Sequence, residues 1–213
     1  MLAWRMAIKL FHHPFSRAAN TVWALEELGL EYELEYVDLM RGEQKESTLR
    51  QLNPMGKLPT LVDGESVITE GAAIAVYLAD RYALGRLAPA LDAPNRGTYL
   101  RWCFYAPSVI EPGCMAHAGK WEVRASSAGF GTYDEMLDTI SAAIGTGPWL
   151  LGDEFSMADF VFGGTVRYMI TFGMLDKRPE YMAYVERLSA RPASIKAQAI
   201  NARIVQERGL SAG

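Results

Sequence analysis

The residue types able to do chemistry are sparse in the first third of this 213-residue chain. No cysteine occurs before Gly71, and Cys103 and Cys114 are too few and wrongly spaced for a disulfide framework, a zinc site or a C-x-x-C redox pair. His12-His13 and a distant His117 are the three histidines, which disfavours a metal centre. What remains is a backbone feature, Asn53-Pro54-Met55-Gly56-Lys57-Leu58-Pro59-Thr60-Leu61, followed by Thr69-Glu70-Gly71. Pro59 has no N–H to give a sheet ladder, so it belongs at a strand's first residue or on an edge. A cis Leu58-Pro59 bond would turn the Leu58 N–H and C=O outward, where an extended ligand could pair with them as a strand does. An ordinary trans junction is the alternative, since only about 5–6% of such bonds are cis.

The elements that must position this stretch follow from the hydrophobic pattern. Residues 6–11 are a short apolar run suited to a buried strand. Ser16 precedes a helical pattern over 17–28, and Gly29 closes it, giving a serine N-cap and a glycine C-cap. Residues 32–37 alternate as a strand, and 43–52 form a weak polar helix. Residues 60–62 and 67–68 flank Asp63-Gly64 as a hairpin, and 70–81 return to helix with Ile74, Tyr77 and Leu78 on one stripe. The order β-α-β-α-β-β-α describes a small sheet with helices on its faces.

Residues 83–94, with two prolines and a glycine, read as a linker. The rest is helical: 95–118 with breaks or kinks at Pro107 and Pro112, then 133–144, 182–190 and 193–206. Ser156-Met157-Ala158-Asp159 is a capping-box variant ahead of Phe160-Val161-Phe162. The expected architecture is an α+β two-domain chain: a small domain over 1–82, the linker, and an all-α domain over 95–213. Hydrophobic residues make up 50% and the net charge is −4, an ordinary globular balance with no general attraction for nucleic acid or anionic membrane. No apolar run is long enough for a bilayer, and Met1-Leu2-Ala3-Trp4-Arg5 lacks a signal-peptide core, so the expected location is cytoplasmic.

Asn53 to Gly64, Thr69-Glu70-Gly71-Ala72-Ala73-Ile74, Tyr77-Leu78-Ala79-Asp80 and the later Gly152 to Asp159 together resemble the cytosolic glutathione transferases. The resemblance spans nearly the whole chain in the right order. It implies a thioredoxin-like domain that holds glutathione, and a helical domain that supplies the pocket for a small hydrophobic electrophile. Phe11-His12-His13-Pro14-Phe15-Ser16 is most similar to the bacterial-type, serine-type members. The absence of tyrosine between Met6 and Leu28, and of cysteine before Gly71, fits the tyrosine and cysteine types poorly.

The resemblance also implies roles. Glutathione reacts as a thiolate, while a free thiol near pKa 8.5 is mostly protonated at neutral pH. Ser16, at the start of the first helix, would donate to sulfur, with the helix dipole adding about 0.3–1 kcal/mol. Its other reading is a plain N-cap. Arg17 is the neighbouring candidate and Asn20 a weaker one. Glu70 would accept the ligand's α-ammonium and the Gly71 N–H would hold its α-carboxylate. Many relatives carry serine or threonine at the Gly71 position, so here one hydroxyl is missing. Glu70 also reads simply as an acid favoured in a first helical turn. Leu58-Pro59 would clamp the cysteinyl backbone, with Lys57 beside it. Gln44 and Lys45 fall where relatives hold the glycyl carboxylate, or else stay on a solvated face.

For the electrophile pocket the expected lining is Arg101, Tyr105 and Trp121 on the first helices after the linker, with Arg167 for a charged substrate group. Most helical aromatics are core, so other aromatics carry less weight. Glutathione is expected as co-substrate with no metal, and the resemblance implies a homodimer. Conjugation is the leading activity. A glutathione-dependent isomerase, dehalogenase or peroxidase, or a non-catalytic ligand carrier, is the alternative.

Overall fold

The structure is a computed structural model that describes residues 8–145 and 147–211. The expected strand start at Met6-Ala7, and the Met1 to Arg5 segment, lie outside the described residues. The chain forms two compact units, one running up to Leu78 and resuming at Pro192, the other spanning Ala79–Arg191.

The first unit has strands β1 (Ile8–His12), β2 (Tyr32–Tyr36), β3 (Thr60–Asp63) and β4 (Ser66–Thr69) in the order β2-β1-β3-β4. β1 pairs parallel with β2 and antiparallel with β3, and β3 pairs antiparallel with β4. Helices α1 (Ala18–Leu28), α2 (Ser47–Leu52) and α3 (Gly71–Tyr82) complete the expected β-α-β-α-β-β-α order. This is the thioredoxin-like arrangement. β1 alternates buried and half-buried residues, and Leu10, Leu61, Val22, Leu25, Ile74 and Leu78 are fully buried. Burial of each such side chain contributes roughly 1.5–3 kcal/mol. In β2 the two glutamates, Glu33 and Glu35, face solvent, as period-two patterning requires.

Local details differ from the pattern in instructive ways. α1 opens at Ala18 with Arg17 at the cap position, and Gly29 ends it at φ +65°, a left-handed conformation that glycine adopts freely. The polar run 43–52 divides into a 3-10 turn at Glu43–Lys45 and the short α2, because Glu46 between them is extended.

The second unit is built on α4 (Arg96–Tyr105), α5 (Glu111–Ala118), α6 (Tyr133–Ile144), α7 (Met157–Thr171) and α8 (Pro179–Ser189). Pro107 does not break the first run. It is absorbed in a π-helical turn, Ala106–Ile110, while Pro112 sits in the first turn of α5, where a missing N–H is tolerated. α8 starts three residues earlier than expected for the same reason, with Pro179 at its first position. α7 is the buried element. At Gly163 a Cβ would run into Leu188 of α8, so only glycine permits that approach. The expected capping box is present: the buried Asp159 carboxylate accepts from Ser156 N–H at 2.9 Å and Ser156 Oγ–H at 3.0 Å. It also takes the Leu150 N–H and Tyr184 hydroxyl, both at 2.8 Å, joining the 147–156 loop and α8 to the start of α7.

Residues 83–94, the expected linker, join α3 to α4 and are packed: Leu87 and Ala88 are buried, Gly85 N–H bonds to Ala88 C=O, and Leu87 C=O accepts from Met157 N–H at 2.8 Å. The Arg96 guanidinium closes this segment with two bonds to Asp80, at 2.6 and 2.7 Å, and one to Pro89 C=O. The last helix, α9 (Pro192–Glu207), belongs to the first unit and not to an all-α domain ending at 213. It packs along α1, where Lys196 pairs with Glu26 at 2.6 Å and Asn201 meets His12. A helix-forming pattern does not say which neighbour takes its apolar face, so this return was invisible in the sequence.

Candidate functional site

The sheet register decides which loops of the first unit converge. Phe11 stands opposite Thr60, Thr60 opposite Thr69, and His12 opposite Tyr36. The C-terminal ends of β1, β2 and β4 and the N-terminal end of β3 therefore share one end of the sheet. Four segments leave from it: the β1–α1 loop with Ser16 and Arg17, the segment after β2 with Gln44 and Lys45, the Asn53–Pro59 loop, and the Thr69-Glu70-Gly71 junction. All nine residues expected at the glutathione site of the first unit lie on these segments.

The Asn53–Pro59 loop is held from within. Asn53 is buried and its amide donates to Lys57 C=O at 3.0 Å and to Thr60 Oγ at 3.3 Å, while its Oδ1 accepts Met55 N–H. Thr60 Oγ adds a bond to the same Lys57 carbonyl. Gly56 has φ +56°, and a Cβ there would collide with Gln44 C=O, so the loop packs closely on the Glu43–Lys45 turn. Lys45 Nζ seals that contact with a 2.8 Å bond to Met55 C=O. Lys45 is thus tied to the loop and not merely a solvated side chain. Gln44 leaves its Oε1 buried without a hydrogen bond. The Leu58-Pro59 bond is cis. Pro59 is buried, Leu58 half-buried and Lys57 exposed. Among the described residues, no hydrogen bond occupies the Leu58 N–H or C=O.

At the β4–α3 junction Glu70 adopts φ +65°, a conformation that costs a non-glycine residue of order 1–3 kcal/mol and concentrates at functional sites. Its carbonyl accepts Ile74 N–H at 2.9 Å, so it opens α3. Glu70 and Gly71 are both exposed, and the first N–H groups of α3 have no partner within the helix. Positive potential at those donors and an exposed carboxylate beside them form a place for an ammonium-and-carboxylate group.

The β1–α1 loop is compact. Ser16 Oγ–H donates to His13 C=O at 2.8 Å, and Ser16 Oγ accepts Ala18 N–H at 3.1 Å. Ser16 therefore supports the first turn of α1 from one residue before the cap position. His13 Nδ1 accepts Phe15 N–H, and its ring packs on Phe15 and Tyr36. Burial pushes both imidazoles below the usual histidine range, His12 to about 4, with the bond to Asn201 opposing the shift and His13 adding to it. For His13 the nearby Asp38 opposes. Both rings are neutral at pH 7.

The four residues expected around an electrophile stand on or beside α4, α5 and α7 of the second unit. Exposed Arg101 on α4 lays its guanidinium 4.3 Å from the Trp102 ring centroid. It lines an open concavity of about 440 Å³ with Thr98, Trp102, Thr139, Ala142 and Leu150, among others. Tyr105 is part of an aromatic cluster, edge-on to Trp102 and stacked on Phe162. Trp121 is 61% exposed beyond α5. Arg167 is half-buried on α7, where desolvation lowers its pKa. Of the four, Arg101 alone lines that concavity.

Sequence reasoning missed two asparagines. Asn53 carries a local signal, an Asx turn at Asn-Pro-Met-Gly. Asn201, 189 residues from its partner His12, carries none.

Residues 6–80 match the glutathione S-transferase N-terminal domain and residues 122–187 the C-terminal domain. A glutathione S-transferase of Nicotiana tabacum is 30% identical over 210 residues, covering 90% of this chain and 97% of that protein. A glutathione transferase from Methylococcus capsulatus is 30% identical, with a TM-score of 0.74 over 92% of this chain and all of the other. A glutathione transferase from Phanerochaete chrysosporium, solved with oxidized glutathione, shares the fold at 24% identity and a TM-score of 0.75, covering 97% and 99% of the two chains. A thioredoxin-like unit with cis-Pro59 and a helical unit capped at Asp159, matched along nearly its full length, make this chain a member of the glutathione S-transferase family.

Proposed function

We propose that this transferase conjugates the glutathione thiolate to small hydrophobic electrophiles, and that it is a serine-type member of bacterial type. The observation that carries the reading is the Leu58 backbone, with neither polar group bonded among the described residues, on the loop beside Glu70 at one end of the sheet. A tripeptide pairs there as an added strand would, its cysteinyl N–H and C=O meeting Leu58. The γ-glutamyl α-carboxylate faces the Gly71 N–H, and the α-ammonium faces Glu70. Lys45, Gln44 and Lys57 receive the glycyl carboxylate, the two lysines by charge and Gln44 through its amide N–H.

Ser16 takes the catalytic role by redirecting its hydroxyl proton from His13 C=O to sulfur. Its oxygen keeps the Ala18 N–H bond through that rotation, so the loop need not move. Hydrogen bonding to the thiolate favours the charged form, and the start of α1 adds its dipole. Arg17, at the cap position, is the neighbouring cation. Glutathione is the co-substrate, and no group of three metal-binding side chains exists among the described residues. Arg101, Tyr105, Trp121 and Arg167 are proposed for the electrophile side, in a cytoplasmic homodimer.

Calorimetric titration with glutathione tests binding, and turnover with a panel of electrophiles tests the reaction. Expected are a saturable heat and thermal stabilisation together with conjugate formation. No heat and no stabilisation at millimolar glutathione would overturn the site. Binding with dehalogenation, isomerisation or peroxide reduction as the only turnover would overturn conjugation.

A further inference from the structure

α9 and the residue that follows it meet the rest of the first unit at three heights. Lys196 pairs with Glu26 of α1, Asn201 sits at the end of β1, and the Arg208 guanidinium carbon lies 3.6 Å from the Tyr36 ring centroid at the end of β2. The middle contact differs in kind from the other two. Asn201 Oδ1 accepts from His12 Nε2 at 2.7 Å, and Asn201 Nδ2 donates to Ala19 C=O at 3.2 Å and to Ala197 C=O, one turn back in α9, at 2.9 Å. With Nδ2 facing two carbonyls, the amide has one sensible orientation, so His12 carries its proton on Nε2.

His12 is the last residue of β1 and Ala19 the second of α1. A single amide therefore fixes both ends of the loop that carries Ser16. Among the described residues, the Ser16 hydroxyl bonds inside that span, to His13 and Ala18. Where Ser16 stands follows from where the two ends are held. His12 is fully buried, so water cannot replace the lost partner if Asn201 is removed. No other common side chain offers an acceptor and a donor in this arrangement at this length.

We infer that Asn201 is a positioning residue for thiol activation: the C-terminal helix, through His12 and Ala19, sets the place of the Ser16 hydroxyl relative to glutathione sulfur. This rests on the proposed role of Ser16. Helix α9 thereby becomes part of the catalytic apparatus of the first unit while touching neither substrate.

The test follows the ultraviolet absorbance of the bound thiolate against pH in full-length protein saturated with glutathione, for wild type, Ser16→Ala, Asn201→Leu and the double variant. Ser16→Ala should raise the titration midpoint by about one pH unit. Asn201→Leu should raise it in the same direction and lower kcat more than it changes KM for glutathione. In the double variant the midpoint should equal that of Ser16→Ala alone, because the two residues act through one group. Should Asn201→Leu fail to fold, Asn201→Asp keeps the size and removes the donor to Ala19, with a shift of the same sign. A lowered melting temperature with an unmoved midpoint would make Asn201 merely structural and overturn the inference. So would a full additional shift on top of Ser16→Ala. An unmoved midpoint in Ser16→Ala itself is a different failure, removing the role of Ser16 on which the inference stands.

Discussion

Ser16 and Gly71 show how a side chain's present bonds bear on what it does with a ligand. The serine hydroxyl donates to its own loop, and its proton reaches sulfur only by rotation about the Cβ–Oγ bond. The glycine offers a backbone N–H and nothing else. A Cβ built on Gly71 meets no atom within 4 Å, and its φ lies outside the left-handed region. Gly71→Ser should therefore be accepted without strain and place a hydroxyl beside the α-carboxylate of glutathione. One added hydrogen bond of about 0.5–1.5 kcal/mol corresponds to roughly 2- to 12-fold tighter binding, measurable by calorimetry. Unchanged or weaker affinity would mean that the γ-glutamyl end does not lie against the start of α3.

Among the elements, α7 depends on one residue most. Four donors converge on the Asp159 carboxylate from its own cap, the 147–156 loop and α8. Burial raises its pKa while those bonds oppose the rise. Asp159→Ala would leave the Leu150 N–H and the Tyr184 hydroxyl without partners in the interior. Stability should fall by about 3 kcal/mol in chemical denaturation, while glutathione affinity stays unchanged because the site lies on the other unit. Loss of affinity at full folding would contradict that separation. This element was legible beforehand, since Ser-x-x-Asp ahead of an apolar run states its own cap. The β-α-β-α-β-β-α order was equally open, because alternation, capping and turn residues are all local. Three features were not. α1 starts one residue later than the pattern, at Ala18, with Ser16 bonding backward to His13 as well as forward to Ala18. The 83–94 segment reads as a linker by composition but is held by Arg96 and Met157, contacts that no local pattern encodes. For the electrophile side, residue type and place after the linker are legible, but neither states which way a side chain on a helix points.

At the scale of the whole chain, α9 packs back on β1 and α1, and His12 makes that contact pH-dependent. Its pKa is depressed to about 4 in the folded protein, below the ordinary 6.5, mainly by burial. A depressed pKa means the unfolded chain binds the proton first as pH falls. The contribution of His12 is therefore complete above pH 6.5 and disappears progressively as pH drops toward 4, by up to about 3 kcal/mol. Urea denaturation from pH 7 to 4, comparing wild type with His12→Gln, isolates it from the carboxylates. The stability difference between the two proteins should move against wild type over that window, and a difference independent of pH would contradict the buried neutral imidazole. A crystal structure with glutathione bound is the decisive measurement of the proposal that one end of the four-stranded sheet holds glutathione against the Leu58 backbone with sulfur toward Ser16. Expected are two backbone hydrogen bonds between Leu58 and the cysteinyl residue, the α-carboxylate at the Gly71 N–H, and sulfur within hydrogen-bond reach of Ser16 Oγ. Glutathione lying elsewhere, or sulfur facing a different donor with Ser16 still turned to His13, would contradict it.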